Sequence, residues 1–340
     1  MNKLKIITNS TLNEKSSPLD EIFKWLNDDI IKVNSIILKN MNSKVPLISQ
    51  LAGYIISSGG KRIRPLLTLA AAKLCKYSGE RHINLAASIE FIHTATLLHD
   101  DVVDESLIRR GKKSANIVWD NKSSILVGDF LLSKAFRLMI SDGSNRCLDV
   151  LSKASIEISQ GEVLQLLTNN NIQTTESKYL EVINSKTAEL FAAATSISGI
   201  VAESGKEKEN ALYEYGKYLG MAFQITDDTL DYFSKTDDFG KNIGDDFKEG
   251  KVSIPIILAF KRSNQSEKKF WMRVINEKIQ NKADLDLALK IIKKYKVIND
   301  CFEKAKHFSM MAKDSLGLFD NSTEKKYLID LADFAVNRNF

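Results

Sequence analysis

Two apolar stretches that each end in a group of aspartates are the feature that most constrains how this chain can fold. The first, EFIHTATLLHDDVVDES at residues 90–106, ends in Asp100, Asp101 and Asp104. On an α-helix, residues four apart lie about 40° apart around the axis and about 6 Å apart along it. Asp100 and Asp104 therefore share one face. Because like charges so placed repel, the pattern indicates either a cation between the carboxylates or an acidic helix end that faces solvent.

A second stretch, GMAFQITDDTLD at residues 220–231, repeats the arrangement. If the two helices face each other, their carboxylates form a cup for several divalent cations around one polyanion, and a diphosphate is the best candidate. Magnesium is the natural cation because it takes carboxylate and phosphate oxygens. The alternative is two solvated acidic helix ends. The predicted metal ligands are Asp100, Asp101, Asp104, Asp227, Asp228 and Asp231.

Basic residues occur where a diphosphate site would need them. In GGKRIRP at residues 59–65, Lys61 and Arg64 lie three apart at a predicted helix start, whose first-turn amides favour an anion. Arg109 and Arg110 follow the first aspartate motif and suit bidentate phosphate binding. Adjacent loop arginines are often merely exposed, but the acids five residues earlier favour the diphosphate interpretation.

Seven motifs in a fixed order resemble the trans-isoprenyl diphosphate synthases, also called polyprenyl synthetases, and their octaprenyl branch in particular. The resemblance covers about residues 20–338. It implies two substrates, isopentenyl diphosphate and an allylic diphosphate, and two to three magnesium ions. The motifs are GGKRIRP at 59–65, HTATLLHDDVVDES at 93–106, RRGKKSAN at 109–116, VGDFLLSKAF at 127–136, SKTAELF at 185–191, FQITDDTLDY at 223–232 and GKNIGDDFKEGKVSIP at 240–255.

The resemblance also assigns residues to each substrate. Isopentenyl diphosphate would contact Lys61, Arg64, His93 and Arg110. The allylic diphosphate would contact Arg109, Lys186, Thr187, Gln224 and Lys241, with Lys251 as a further candidate cation. Loss of the allylic diphosphate leaves a carbocation, so the groups that stabilise the leaving diphosphate are the expected catalytic ones. These are Asp100, Asp104, Asp227, Asp231, Lys186 and Arg109.

Product length is implied by the same resemblance. Bulky aromatics at the positions of Ala95 and Thr96 are associated with short products, and both residues are small here. Thr96 lies one turn before Asp100, on the face that a substrate tail would follow, whereas the assignment of Ala95 depends on the family alone. Met139 is a candidate for the tunnel floor. We therefore expect a long product, of octaprenyl length for a quinone side chain.

The composition indicates an all-α protein. Only four prolines occur among 340 residues, and three of them stand near apparent helix starts. The chain can bury one large core or two ordinary ones. We expect a loose leader over residues 1–17 and a single helical domain over 18–340, a bundle of the isoprenoid synthase type around a central apolar cavity. Ser17 before Pro18 predicts the cap of a helix that runs to about Asn40.

Charge and cysteine usage exclude several classes of protein. The net charge of +5 is spread along the chain, so nucleic acid is not an expected partner. Cys75, Cys147 and Cys301 show no metal-binding spacing and indicate reduced cysteines of a cytoplasmic protein. The chain contains no run of 18 apolar residues, so we predict no membrane span. The family suggests a homodimer, and release of a long product suggests transient membrane contact.

Three alternatives stay open. A terpene cyclase shares the first motif and the fold, but it usually carries an Asn/Ser/Glu-type second metal site, whereas this chain has DDTLD together with GGKRIRP. A farnesyl or geranylgeranyl synthase would give a shorter product. A noncatalytic subunit of a heteromeric synthase would be expected to have lost acids or phosphate contacts, and this chain retains them.

Overall fold

The computed structural model describes residues 17–233 and 243–337, which are almost entirely helical. Their contacts divide the chain into two compact units. The first unit comprises Met1–Ala70 and Gly79–Gly143, and the second comprises Ala71–Ser78 and Ser144–Phe340. The predicted all-α class is confirmed, and a single domain over residues 18–340 stays a prediction.

The first unit is organised around one long helix, α5, which packs against α7 and α2. The side chains of Leu85, Ile89 and Phe91 on α5 are fully buried, so this helix is held by its apolar faces. The helices are α1 (Pro18–Trp25), α2 (Asn27–Met41), α3 (Pro46–Ser57), α4 (Ile63–Leu74), α5 (Arg81–Val103), α6 (Ala115–Val118) and α7 (Asn121–Asp142), and the strands are β1 (Ile108–Arg109) and β2 (Lys112–Lys113). The residues of α4 after Ala70 belong to the second unit.

The start of α1 follows the predicted capping chemistry. The Ser17 hydroxyl accepts the backbone N–H of Asp20 at 3.2 Å, and the Asp20 carboxylate accepts the backbone N–H of Ser17 at 3.1 Å. The predicted single helix to Asn40 is wrong, because the backbone leaves helical angles at Leu26 (φ −99°, ψ 13°). The Leu26 side chain is fully buried there, so the break places an apolar side chain in the core.

The second unit is centred on α11, which packs against α10 and α16. Phe191, Tyr215 and Trp271 are among its largest fully buried side chains. The second unit's helices are α8 (Asn145–Thr168), α9 (Glu176–Ile183), α10 (Glu189–Val201), α11 (Lys206–Leu230), α12 (Asp245–Glu249), α13 (Ile254–Arg262), α14 (Gln265–Trp271), α15 (Asp284–Lys294), α16 (Val297–Ser315) and α17 (Thr323–Asn337).

A π-helical turn, Asn184–Ala188, joins α9 to α10. Such turns insert one extra residue into a helix and occur frequently at functional sites. This turn carries Lys186 and Thr187, two residues assigned to the allylic substrate. A second π turn, Met272–Asn276, follows α14, and a 3₁₀ turn, Leu316–Leu318, follows α16.

Within residues 17–233 and 243–337, no helix is long and apolar enough to cross a membrane.

Candidate active site

The Gly59–Gly60 pair lets an arginine approach the backbone in the first unit. Gly59 has φ +89° and Gly60 has φ +150°, conformations that other residues rarely adopt. A Cβ on Gly60 would lie 2.6 Å from Nη1 of Arg110. Glycine at this position therefore leaves the space that the Arg110 guanidinium occupies.

Arg64 and His93 are hydrogen-bonded to each other. Nη1 of Arg64 lies 3.0 Å from Nε2 of His93. Burial lowers the pKa of His93 well below its usual value, and the charges of Arg64, Arg110 and Arg109 lower it further. The imidazole is therefore neutral, and its Nε2 accepts a hydrogen bond from Arg64. His93 thus orients the guanidinium of a residue predicted to bind isopentenyl diphosphate.

Glu90 belongs to the same group of side chains as Arg64, His93 and Arg110, and it was not identified from the sequence. Its Oε1 lies 3.1 Å from Nη1 of Arg62. Burial raises the pKa of Glu90, and the charges of Arg62, Arg64 and Arg110 oppose that rise. An acid one turn before His93, inside an apolar stretch, was the available signal. The cluster has three arginines around one carboxyl, which leaves it with an excess of positive charge suited to an anion. Lys61 is exposed just before α4.

The first aspartate motif is placed at the C-terminal end of α5. Asp100 is half-buried in the last turn, and the backbone N–H of Asp104, the C-cap, donates to the carbonyl of Asp100 at 2.8 Å. Asp101 is different, because its side chain is 0% exposed and its Oδ1 lies 2.6 Å from Nε of Arg109. Burial raises the pKa of Asp101, and Arg109 opposes that rise. Arg109 therefore already holds a carboxylate of the motif.

The basic loop predicted after the motif is a β-hairpin. Ile108 pairs with Lys113 and Arg109 pairs with Lys112. The two turn residues, Arg110 (φ +53°) and Gly111 (φ +74°), both have positive φ, as a two-residue type I′ turn requires. The hairpin fixes the direction of both arginines, which a flexible loop would not.

The second aspartate motif lies at the C-terminal end of α11. Asp227 is in the last turn, and Asp231 is the C-cap. The Asp231 carboxylate accepts the backbone N–H of Asp245 at 3.3 Å and that of Asp246 at 3.1 Å. These amides begin α12, where the helix dipole favours a negative charge. Asp231 therefore ties the start of α12 to the end of α11.

Asp228 is the centre of a hydrogen-bonded chain in the second unit. Its Oδ2 accepts from the Tyr179 hydroxyl at 2.6 Å, and its Oδ1 accepts from Nε2 of Gln224 at 2.7 Å. Oε1 of Gln224 accepts from the Thr187 hydroxyl at 2.9 Å. Burial raises the pKa of Asp228 to about 8, and Asp246 and Asp227 add to the rise while Tyr179 and Gln224 oppose it.

Two lysines of the second unit are held by acids that sequence reasoning missed. Nζ of Lys186 lies 2.6 Å from Oε2 of Glu162 on α8. Nζ of Lys251 lies 2.6 Å from Oε2 of Glu249. Glu162 is 24 residues away from its lysine in sequence, so no local pattern pointed to the pair. Each acid limits where the lysine can point.

A pocket of about 130 Å³ in the second unit is lined by several of the predicted residues. The structure thus brings together residues predicted from three separate motifs, at 185–191, 223–232 and 240–255. Positive and hydrogen-bonding groups dominate the predicted residues in its wall, which suits an oxyanion. Those residues are Lys186, Thr187, Gln224, Asp228 and Lys251, joined by Tyr179.

The remaining predicted residues are placed as follows. Ala95 on α5 and Met139 on α7 are buried, and Thr96 is half-buried with its hydroxyl donating to the His93 carbonyl at 2.8 Å. Their role in product length stays a prediction. Lys241 lies outside the described residues. Among residues 17–233 and 243–337, no three His, Cys, Asp or Glu side chains are grouped closely enough to hold a metal ion.

An all-α chain with two such aspartate motifs, each at the end of a long apolar helix, falls in the isoprenoid synthase class. The family model of polyprenyl synthetase matches residues 45–292. The chain belongs to the polyprenyl synthetase family and is a prenyltransferase. The predicted family, fold class and enzyme type are thereby confirmed.

Three similar proteins illustrate the match. Octaprenyl diphosphate synthase of Haemophilus influenzae is 42% identical over 95% of this chain and 98% of its own length. The solved decaprenyl diphosphate synthase of Rhodobacter capsulatus is 45% identical, with a TM-score of 0.91 over 95% of this chain and 100% of that one. The solved polyprenyl synthase of Caulobacter crescentus CB15, complexed with calcium and isoprenyl diphosphate, is 43% identical, with a TM-score of 0.92 over 96% and 100%.

Proposed function

We propose that this chain is a long-chain trans-polyprenyl diphosphate synthase that adds isopentenyl diphosphate repeatedly to an allylic diphosphate such as farnesyl diphosphate. The observation that supports this most is the near full-length similarity to octaprenyl and decaprenyl diphosphate synthases. An octaprenyl-length product for a quinone side chain is the specific proposal.

Magnesium is the proposed metal, with two to three ions held by Asp100, Asp104, Asp227 and Asp231. The donor set is all carboxylate oxygen, which suits a hard divalent cation. Both motifs lie at C-terminal helix ends, where the dipole disfavours carboxylates and a bound cation would offset the cost. Bound magnesium would neutralise charge on the diphosphate that leaves. The relative from Caulobacter crescentus contains calcium together with isoprenyl diphosphate, which supports the assignment.

The allylic diphosphate is proposed to bind at the pocket of the second unit. Lys186 and Lys251 supply positive charge there, and Gln224 supplies an N–H donor. Cations held in place before the reaction stabilise the leaving group without reorganising, which is the main source of catalysis in this scheme. Arg109 is the corresponding cation of the first unit, and Asp101 holds its guanidinium.

Isopentenyl diphosphate is proposed to bind the arginine cluster of the first unit. Arg64 and Arg110 would bind its diphosphate, with His93 holding Arg64 and Lys61 adding a further charge. Because the double bond of isopentenyl diphosphate would be held in a fixed position, its reaction with the allylic cation becomes an oriented step. Apolar walls would exclude water, which would otherwise quench the cation to an alcohol.

The assembly and location follow as further proposals. We propose one functional domain over residues 18–340, a homodimer, a cytoplasmic location and transient membrane contact when the long product leaves. The three cysteines, Cys75, Cys147 and Cys301, are free thiols, as in a reducing compartment.

The test is incubation of the purified protein with magnesium, labelled isopentenyl diphosphate and farnesyl diphosphate, followed by chain-length analysis. We expect a ladder that ends at a long polyprenyl diphosphate. A product that stops at geranylgeranyl length would support the short-chain alternative. No product with any of several allylic primers would support the noncatalytic-subunit alternative.

Replacing Ala95 with phenylalanine should shorten the main product by one isoprene unit or more. Ala95 is 1% exposed on α5, so a larger side chain there fills space that a growing chain is proposed to use. Extra atoms in a packed site also cost about 1–3 kcal/mol of stability. Chain-length analysis of the extracted products checks the expectation.

The matched control for this variant is Ala87→Phe, at an equally buried alanine two turns earlier on the same helix. It should lose comparable stability and keep the wild-type product length. The proposal for Ala95 is contradicted if both variants, or neither, shorten the product.

A further inference from the structure

We propose that Tyr179 and Asp228 are positioning residues that, together with Thr187, fix the side-chain amide of Gln224 so that its free N–H points to the allylic diphosphate. This inference rests on the proposed function. It gives Tyr179 a role that no motif assigns. Asp228 was predicted to be a metal ligand and Thr187 a phosphate contact, and here both residues instead support Gln224.

We call the hydrogen-bonded chain of Tyr179, Asp228, Gln224 and Thr187 the relay. It joins three separate elements of the second unit. Tyr179 lies on α9, Thr187 lies in the π turn, and Gln224 and Asp228 lie one turn apart on α11. Three hydrogen bonds of 2.6, 2.7 and 2.9 Å connect Tyr179 to Asp228, Gln224 to Asp228 and Thr187 to Gln224. All four side chains line the same pocket as Lys186. The relay is therefore part of the pocket wall.

Counting donors and acceptors shows which orientation of the amide the relay favours. Asp228 accepts one hydrogen bond from the Tyr179 hydroxyl and one from the amide nitrogen of Gln224. The amide oxygen of Gln224 takes the hydroxyl hydrogen of Thr187. Rotating the amide by 180° would turn its oxygen towards the Asp228 oxygen that now accepts from Nε2, so that bond would be lost, although the Thr187 hydroxyl could accept from the amide nitrogen instead. One N–H of Gln224 remains to donate to a ligand in the pocket.

The same count limits Thr187. A hydroxyl has a single hydrogen, and here it is used by Gln224. While that bond is made, Thr187 cannot donate to a phosphate oxygen. Its contribution to substrate binding is therefore through Gln224.

Tyr179 anchors the far end of the relay. Its side chain is 4% exposed, and burial and the neighbouring Asp228 raise its pKa well above the usual value, so the phenol keeps its proton and donates. A buried tyrosine also packs in the core whatever its hydroxyl does. Removing the hydroxyl separates these contributions, because the ring remains in place.

The experiment compares Tyr179→Phe with Tyr215→Phe in the full-length protein. Tyr215 is also buried in the second unit, and its hydroxyl donates to the Leu328 carbonyl at 2.8 Å, outside the relay. We expect Tyr179→Phe to raise KM for farnesyl diphosphate about 10-fold, the effect of one misplaced hydrogen bond, and to leave KM for isopentenyl diphosphate unchanged. Tyr215→Phe should lower Tm similarly and change neither KM.

A double-mutant cycle extends the test to Thr187. Thr187→Val should raise KM for farnesyl diphosphate in the same way. In the double variant with Tyr179→Phe, the factor by which this KM rises should be smaller than the product of the two single-variant factors. An active wild type in which Tyr179→Phe changes neither KM, or changes both equally, overturns the inference alone. A wild type that makes no product overturns the proposed function and this inference together.

Discussion

Replacing Asp100 or Asp227 with asparagine should lower turnover about 1,000-fold, or ~4 kcal/mol of transition-state stabilisation. Asparagine keeps the size of the side chain and removes the charge that a divalent cation requires. Each residue belongs to a different motif, so the two variants test the two proposed metal-binding motifs separately. Steady-state turnover with farnesyl and isopentenyl diphosphates at saturating magnesium measures the effect.

The fold should survive both substitutions. Asp100 and Asp227 each lie three residues before the end of a long helix, α5 and α11. A carboxylate at the negative end of a helix dipole is unfavourable by about 0.3–1 kcal/mol. Removing it should therefore leave the free energy of unfolding unchanged or raise it slightly. Loss of activity without loss of stability would separate a metal-binding role from a structural one.

Asp149→Asn is the matched control. Asp149 is exposed on α8 and pairs with Lys153 at 2.7 Å, four residues on. Such a surface pair contributes about 0.3–0.5 kcal/mol, and turnover should not change. If Asp100→Asn or Asp227→Asn stays within 10-fold of the wild type, the proposed metal site does not carry the reaction.

Local chemistry made some of the fold predictable from the sequence. The cap at Ser17 depends on residues within three positions of it, and the structure reproduces it. The helical placement of both aspartate motifs depends on apolar periodicity, which is likewise local. The break at Leu26 was not predictable in this way, because it depends on what the Leu26 side chain packs against.

The partners of the predicted site residues were not predictable, because they are distant in sequence. Glu162 holds Lys186 across 24 residues, Glu90 holds Arg62 across 28 and Tyr179 holds Asp228 across 49. A single sequence lists such residues without pairing them. Helix geometry, charge and the resemblance to a family together identified the cationic and acidic groups of the site, whereas the acids that position the cations were found only in the folded structure.

A substitution that displaces the π turn is expected to have the largest combined effect on stability and activity. Gly161 on α8 is buried against it, and a Cβ at Gly161 would lie 2.6 Å from the backbone N of Lys186 and 3.0 Å from its Cα. These are backbone atoms, so no side chain can move aside to make room. Gly161→Ala should therefore displace the turn that carries Lys186 and Thr187.

We expect Gly161→Ala to lose about 1–3 kcal/mol of unfolding free energy and about 100-fold in turnover, since overpacking strains a core and a shift near 1 Å misplaces binding groups. Gly53→Ala is the control, because Gly53 is inside α3 and its nearest atom to a new Cβ is Cε of Met41 at 4.0 Å. That variant should gain about 0.5–1 kcal/mol, as alanine does in helices, with no change in turnover. Denaturant unfolding and steady-state assays of both variants decide the matter: if Gly161→Ala matches Gly53→Ala in both measurements, close packing against the π turn is not what holds Lys186 in the pocket.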